Sequence, residues 1–292
     1  MIIGGKFGIV EGVSTVRDWE ITETEAQPKG VASNSGQGTF RRPGVRSWTG
    51  SYGSYGGVPP KMPGEMFDFR GYAGPASGVA GTSGPMYIGK AMIADVTIEW
   101  DWKTAQIIQT KSTFQGHLDL QKASNPPVLD VSIIDDPSTI PAKITWDTAA
   151  PSGVQLFDCI TKASLKITNA VQSYVNSCTV LGDFPNQIAW TGRVSGPIDW
   201  SLSISQENAD TAAADPKIGS IIQIKMYLDA TRFWDLQYGI VKDYSGYKVN
   251  RETGAIIDRT IAVDMMCHDG AGVLGHIAKP DTSIWWPFTP AG

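Results

Sequence analysis

Glu99 and Asp101 stand two residues apart in ADVTIEWD (94–101), and a pair of carboxylates on one face is the equipment of glycoside hydrolysis. That chemistry needs a cleft and surroundings that push the two pKa values apart. Here the pair belongs to a regular run in which Asp95, Thr97, Glu99 and Asp101 alternate with Val96, Ile98, Trp100 and Trp102. Any strand with one wet face shows this pattern. GPMYIGKA (84–91) comes close to a phosphate-cradling loop. However, Ala91 stands where a magnesium-binding hydroxyl is required, and the following residues alternate as a strand rather than opening a helix. His117, His268 and His276 form neither a Ser-His-Asp set nor a His-x-x-x-His pair, so His117 and His268 are expected to make structural hydrogen bonds. Cys159, Cys178 and Cys267 are scattered and odd in number, which reads as buried or half-buried free thiols rather than a disulfide framework or zinc site. No catalytic residue, metal or cofactor is expected.

Composition narrows the partners. A net charge of −5 and a pI near 5.2 argue against a protein that holds nucleic acid by neutralising phosphates. The chain is 41% hydrophobic and 18% charged, with 32 glycines and 18 prolines, a profile of strands broken by turns. Ten tryptophans and nine tyrosines would suit sugar-stacking platforms, but most tryptophans fall on the apolar side of an alternating pattern and read as core or interface residues. The opening MIIGGKFGIVEG lacks the apolar stretch of a secretory signal, and no run is long enough to span a membrane, so no membrane insertion and synthesis in a cytoplasm are expected.

The elements that would position these residues occur twice. GVRSWTGS (44–51) lines up without a gap on GPIDWSLS (196–203). Ahead of it GIVEGVSTVRDWEIT (8–22) resembles GVQLFDCITKASLKIT (153–168), and near the end of each half AQIIQTKSTFQGH (105–117) parallels AIIDRTIAVDMMCH (255–268). Trp19 aligns with Leu165, Trp48 with Trp200 and His117 with His268, at nearly constant offset and in the same order, which indicates a duplicated unit. The period within each copy is two, with turns at 103–105 and 252–254 closing long hairpins. The only helical pattern is QENADTAAAD (206–215). The expected class is mainly β: two tandem, similar antiparallel domains forming sandwiches or barrels, each with a long hairpin and at most one short helix. Their expected bounds are 1–117 and 153–270, with a proline-rich connector at 118–152 and a tail at 271–292 that carries Trp285, Trp286 and Phe288.

The strand opening each copy, the Gly-x-x-Ser/Asp-Trp-Thr/Ser entry (GVRSWT, GPIDWS) and the hairpin IADVTIEWDWKTAQIIQTKSTFQGH resemble the tail tube proteins of tailed bacteriophages and related contractile injection systems. The resemblance covers roughly 1–117 and 153–268. It implies a structural virion protein, not an enzyme, whose domains form rings of six that stack into a hollow conduit for DNA ejection. A chain with two copies then implies three chains per ring in pseudo-sixfold symmetry. The implied partners are further copies of itself, other tail proteins, and DNA that passes without specific binding; the implied location is the virion tail, assembled in the host cytoplasm. On this reading Asp95, Thr97, Glu99 and Asp101, with Gln109, Lys111, Thr113 and Gln115 on the returning strand, face the channel. Arg41, Arg42 and Arg46 are candidate contacts between subunits or rings, and the tail aromatics Trp285, Trp286 and Phe288 are expected to dock either on their own domain or, as candidate intersubunit contacts, on a neighbouring subunit. Another ring-forming tail component, a carbohydrate-binding β module and a β-sandwich glycoside hydrolase are the alternatives.

Overall fold

A computed structural model of the chain describes residues 16–30, 39–41, 43–72, 84–103, 108–125, 143–148, 153–182, 187–207, 215–229, 231–249, 252, 256–268, 271, 273–280 and 284–286. In the first half the strands are β1 (Val16–Glu25), β2 (Lys29–Gly30), β3 (Phe40–Arg41), β4 (Arg46–Tyr55), β5 (Met66–Tyr72), β6 (Gly84–Asp101) and β7 (Gln109–Asn125). There follow β8 (Ile144–Thr148), β9 (Gln155–Leu156), β10 (Ile160–Asn169), β11 (Gln172–Tyr174), β12 (Val180–Leu181), β13 (Ile188–Ala189) and β14 (Gly192–Val194). The chain continues through β15 (Ile198–Glu207), β16 (Ile221–Tyr227), β17 (Phe233–Val249), β18 (Ile256–Met265), β19 (Ile277–Ala278) and β20 (Ile284–Trp286). No α-helix occurs among the described residues, most of the helical pattern at 206–215 lies outside them, and Ser177–Thr179 make one 3-10 turn. The stretch 84–91 is part of β6, as its alternation requires.

Fourteen strands share one sheet, whose path is β1-β4-β7-β6-β10-β15-β18-β17-β16-β8-β9, with β5 on β6 and the β19–β20 pair on β17. All its named pairings are antiparallel. The two halves thus belong to one sheet rather than two separate ones. They meet where β6 pairs with β10, placing Val96 beside Ile167, Ile98 beside Leu165 and Trp100 beside Ala163. All six are buried in a single core that runs through both halves. With roughly 1.5–3 kcal/mol gained per buried large apolar side chain, this junction holds the halves as one body. The connector begins later than the letters suggest, because β7 continues to Asn125, and Ile144–Thr148 within its expected bounds form β8, paired with β16 on one side and β9 on the other.

Strand order and irregularities recur in the two halves. The order β1-β4-β7-β6 with β5 on β6 is matched by β10-β15-β18-β17 with β16 on β17. The register shifts between Val16 and Asp18 in β1, and between Ile160 and Lys162 in β10. It shifts again between Ile93 and Asp95 in β6, and between Val241 and Asp243 in β17. A bulge inserts one residue, so Ile93 and Val96, an odd number apart, both turn to the core. Ala94 is the bulged residue.

Glycines recur at the same joints. Gly64 and Gly219 hold φ of 88° and 82°, which only glycine adopts cheaply. Their N–H groups donate to the carbonyls of Ile93 and Val241, both at 2.8 Å. A Cβ on Gly44 or Gly196 would lie 2.0 or 1.9 Å from the carbonyl oxygen of Ala26 or Ala170. The pairings correct two alignments of the letters. The counterpart of Leu165 is Ile21, not Trp19, and that of His117 is Met266, not His268. A slip of two residues keeps every side chain on its face, so hydrophobic pattern alone does not detect it.

The sheet curls over its own apolar side. Phe69 of β5 lies 5.7 Å from the Trp48 ring and 5.0 Å from that of Phe114, although β5 pairs with neither β4 nor β7. The second half packs likewise on the first, the Trp234 indole donating to the Gly57 carbonyl at 2.9 Å.

Candidate functional site: a polar sheet face

Opposite this core the sheet shows one continuous polar face. Following the register across the strands, Ser51, Thr113, Asp95, Thr168 and Asp199 form one row. Gly53, Lys111, Thr97, Lys166, Ser201 and Asp264 form the next. Tyr55, Gln109, Glu99, Ser164, Ser203 and Ala262 form a third. Asp101, Lys162, Ser205, Thr260 and Ser245 complete a fourth. Each sits there because alternation sends its neighbours into the core.

All eight residues expected on a shared wet face, Asp95, Thr97, Glu99, Asp101, Gln109, Lys111, Thr113 and Gln115, lie on this one. Asp95 accepts a hydrogen bond from the Thr113 hydroxyl, and Gln109 accepts one from Arg17. Lys111 and Glu99 are exposed. The wall is less acidic than β6 alone suggests. Lys162 pairs with Asp101 at 2.8 Å, Lys242 with Asp264 at 3.1 Å and Lys248 with Asp258 at 3.1 Å, while Lys103 pairs with Glu207. Lys162 and Lys166 escaped attention because only the β6–β10 pairing sets them beside Thr97 and Asp101; their alternation with Ala163, Leu165 and Ile167 was the available signal. Glu99, Asp101, Gln109, Lys162, Ser164 and Ser203 line an open depression of about 470 Å³.

The remaining candidates are placed as follows. Arg46 is half-buried and ion-paired inside the chain, its Nε 3.2 Å from Glu25. Its carbonyl accepts the Thr191 N–H at 3.0 Å, tying the halves together. Arg41 enters β3 opposite Lys29 by its backbone; its side chain and Arg42 lie outside the described residues. Of the two docking places expected for it, Trp285 takes its own chain rather than a neighbour: it is buried in the core at 5% exposure, because β20 pairs with β19 and β19 with β17. The Trp286 side chain and Phe288 lie outside the described residues. His117 Nδ1 accepts the Arg193 N–H at 2.9 Å, and burial, assisted by the Lys90 and Arg193 charges, holds its pKa below 6.5. The three cysteines are free and, contrary to expectation, exposed: Cys159 and Cys267 sit at strand ends and Cys178 in the 3-10 turn.

Among the described residues no group of three or more His, Cys, Asp or Glu is placed to hold a metal, and no helix is long and apolar enough to cross a membrane. No protein-family model matches the chain, and no curated protein matches it.

Proposed function

We propose that the chain is a non-enzymatic, ring-forming tube subunit of the tailed-bacteriophage type, with three copies closing a ring of six similar units around a channel. The observation that carries this reading is the β6–β10 junction. There one unit hands its sheet directly to the next, with strand order, the bulge of β1 and β10 and one bulge of β6 and β17 repeated on either side. A unit that continues into its like through one sheet builds a closed ring when the chain's own ends meet. The polar face then turns to the channel and the apolar face to the core. A wall of hydroxyl, amide and paired charged groups suits duplex DNA in transit, since it offers no excess of cations to hold the phosphates. A sugar-binding platform is less favoured, because Trp48, Trp200 and Trp234 are fully buried.

Electron microscopy with native mass measurement of the purified chain tests this. Uniform hollow rings of three chains, or tubes stacked from them, are expected. Rings of six chains overturn the pseudo-sixfold arrangement, and an inert monomer at high concentration overturns the tube reading.

A further inference from the structure

The β6–β10 junction leaves a matching pair of edges at the two ends of the sheet. β1, the counterpart of β10, pairs with β4 on one side and with nothing among the described residues on the other. β17, the counterpart of β6, pairs with β16 up to Ile240. Beyond Val241 the side turned away from β18 has no strand partner among the described residues. On β6 the same side, past the bulge at Ala94, is the one that β10 occupies. We infer that copies of this chain join head to tail, β17 of one copy pairing antiparallel with β1 of the next in the register that β6 and β10 use within the chain.

Carrying that register over places Thr24 opposite Asp243, Thr22 opposite Ser245 and Glu20 opposite Lys248. These copy the pairs Thr168–Asp95, Lys166–Thr97 and Ser164–Glu99. The chemistry of the edges agrees. β1 carries Asp18, Glu20, Glu23 and Glu25 against a single Arg17, whereas β17 beyond Val241 carries Lys242 and Lys248 against Asp243. Two β1 edges would set acid against acid, so the charges select the unlike partner. Val249, next along the β17 edge, is 54% exposed in the single chain. The pairing also occupies two rows of backbone groups that an open sheet leaves as sites for indiscriminate association.

This inference rests on the ring reading, and cysteine pairing separates the two. In a background with Cys159, Cys178 and Cys267 replaced by serine, T22C/S245C puts two thiols directly opposite across the new interface, within disulfide reach. E23C/S245C is one residue out of register and puts them on opposite faces. T97C/K166C, spanning the β6–β10 junction, reports that the chain is folded. Mild oxidation should convert T22C/S245C into a ladder ending at covalently closed trimers, with linkage at least tenfold weaker in E23C/S245C. Rings seen by microscopy without that linkage, or equal linkage in the out-of-register pair, overturn the inferred pairing and leave the ring reading standing. Neither rings nor linkage, with T97C/K166C formed, overturns both.

Discussion

Arg259 is the one buried cation among the described residues, and removing its counter-charge should cost more than removing the cation itself. Its side chain is 3% exposed; Nη1 lies 2.6 Å from Asp215, Nε donates to the Gln206 amide oxygen at 2.8 Å, and the guanidinium sits over the Tyr244 ring at 5.7 Å. Asp215→Ala leaves that charge in the core. Breaking a buried pair in this way costs about 3–5 kcal/mol when both partners are dry. The Asp215 side chain is 27% exposed, so water already weakens the pair, and Gln206 and Tyr244 remain. A loss of about 2 kcal/mol follows. For a chain of this size that lowers Tm by roughly 4–8 °C. Arg259→Met fills similar space without a charge but deprives the buried Gln206 oxygen of its donor, for a net cost of about 1 kcal/mol. Once Arg259 is replaced Asp215 has no charge to balance, so removing it as well should cost nothing more and the double variant should match Arg259→Met alone, a coupling of about 2 kcal/mol. Urea unfolding of the unassembled chain, followed by tryptophan fluorescence, measures all four corners. Additive costs, or Asp215→Ala with the parent midpoint, would refute the argument.

Trp285→Ala should destabilise the unassembled chain by about 3 kcal/mol, because the indole is packed in its own core; an unchanged melting temperature together with failed assembly would show that it serves a neighbour instead. Replacing Asp95, Glu99 and Asp101 with lysine breaks the Asp101–Lys162 pair and the Thr113–Asp95 hydrogen bond, at up to ~1 kcal/mol each. If this face lines the channel, assembled particles should also deliver DNA more slowly, most severely at low salt where screening is weakest; delivery at the parent rate in assembled particles would place the face elsewhere. The folded pKa of His117 is lowered by burial, so the unfolded chain binds its proton first as pH drops below about 6.5. Stability should therefore fall from there down through the lowered value, a slope that His117→Asn removes; identical pH profiles for the two chains would count against it.

The period-two alternation of residues 95–102 was legible in the letters because side-chain direction in a strand is a local property, repeated every second residue. It assigned strands, wet face and dry face without any knowledge of neighbours. The recurrence of Trp48 and Trp200 in matched settings was legible for the same reason. Pairing was not, since nothing local in β6 says that β10 lies beside it, and that junction brings Lys162 and Lys166 onto the carboxylate face and makes it charge-balanced. Register was only half legible, because a shift of two preserves the pattern; the bulges at Ile93–Asp95 and Val241–Asp243 settle it through backbone hydrogen bonds. The fate of Trp285 and Arg46 lay wholly in the tertiary structure. An aromatic or a cation reads the same in sequence whether its partner is a neighbouring molecule or, as for Glu25 and the core here, its own chain.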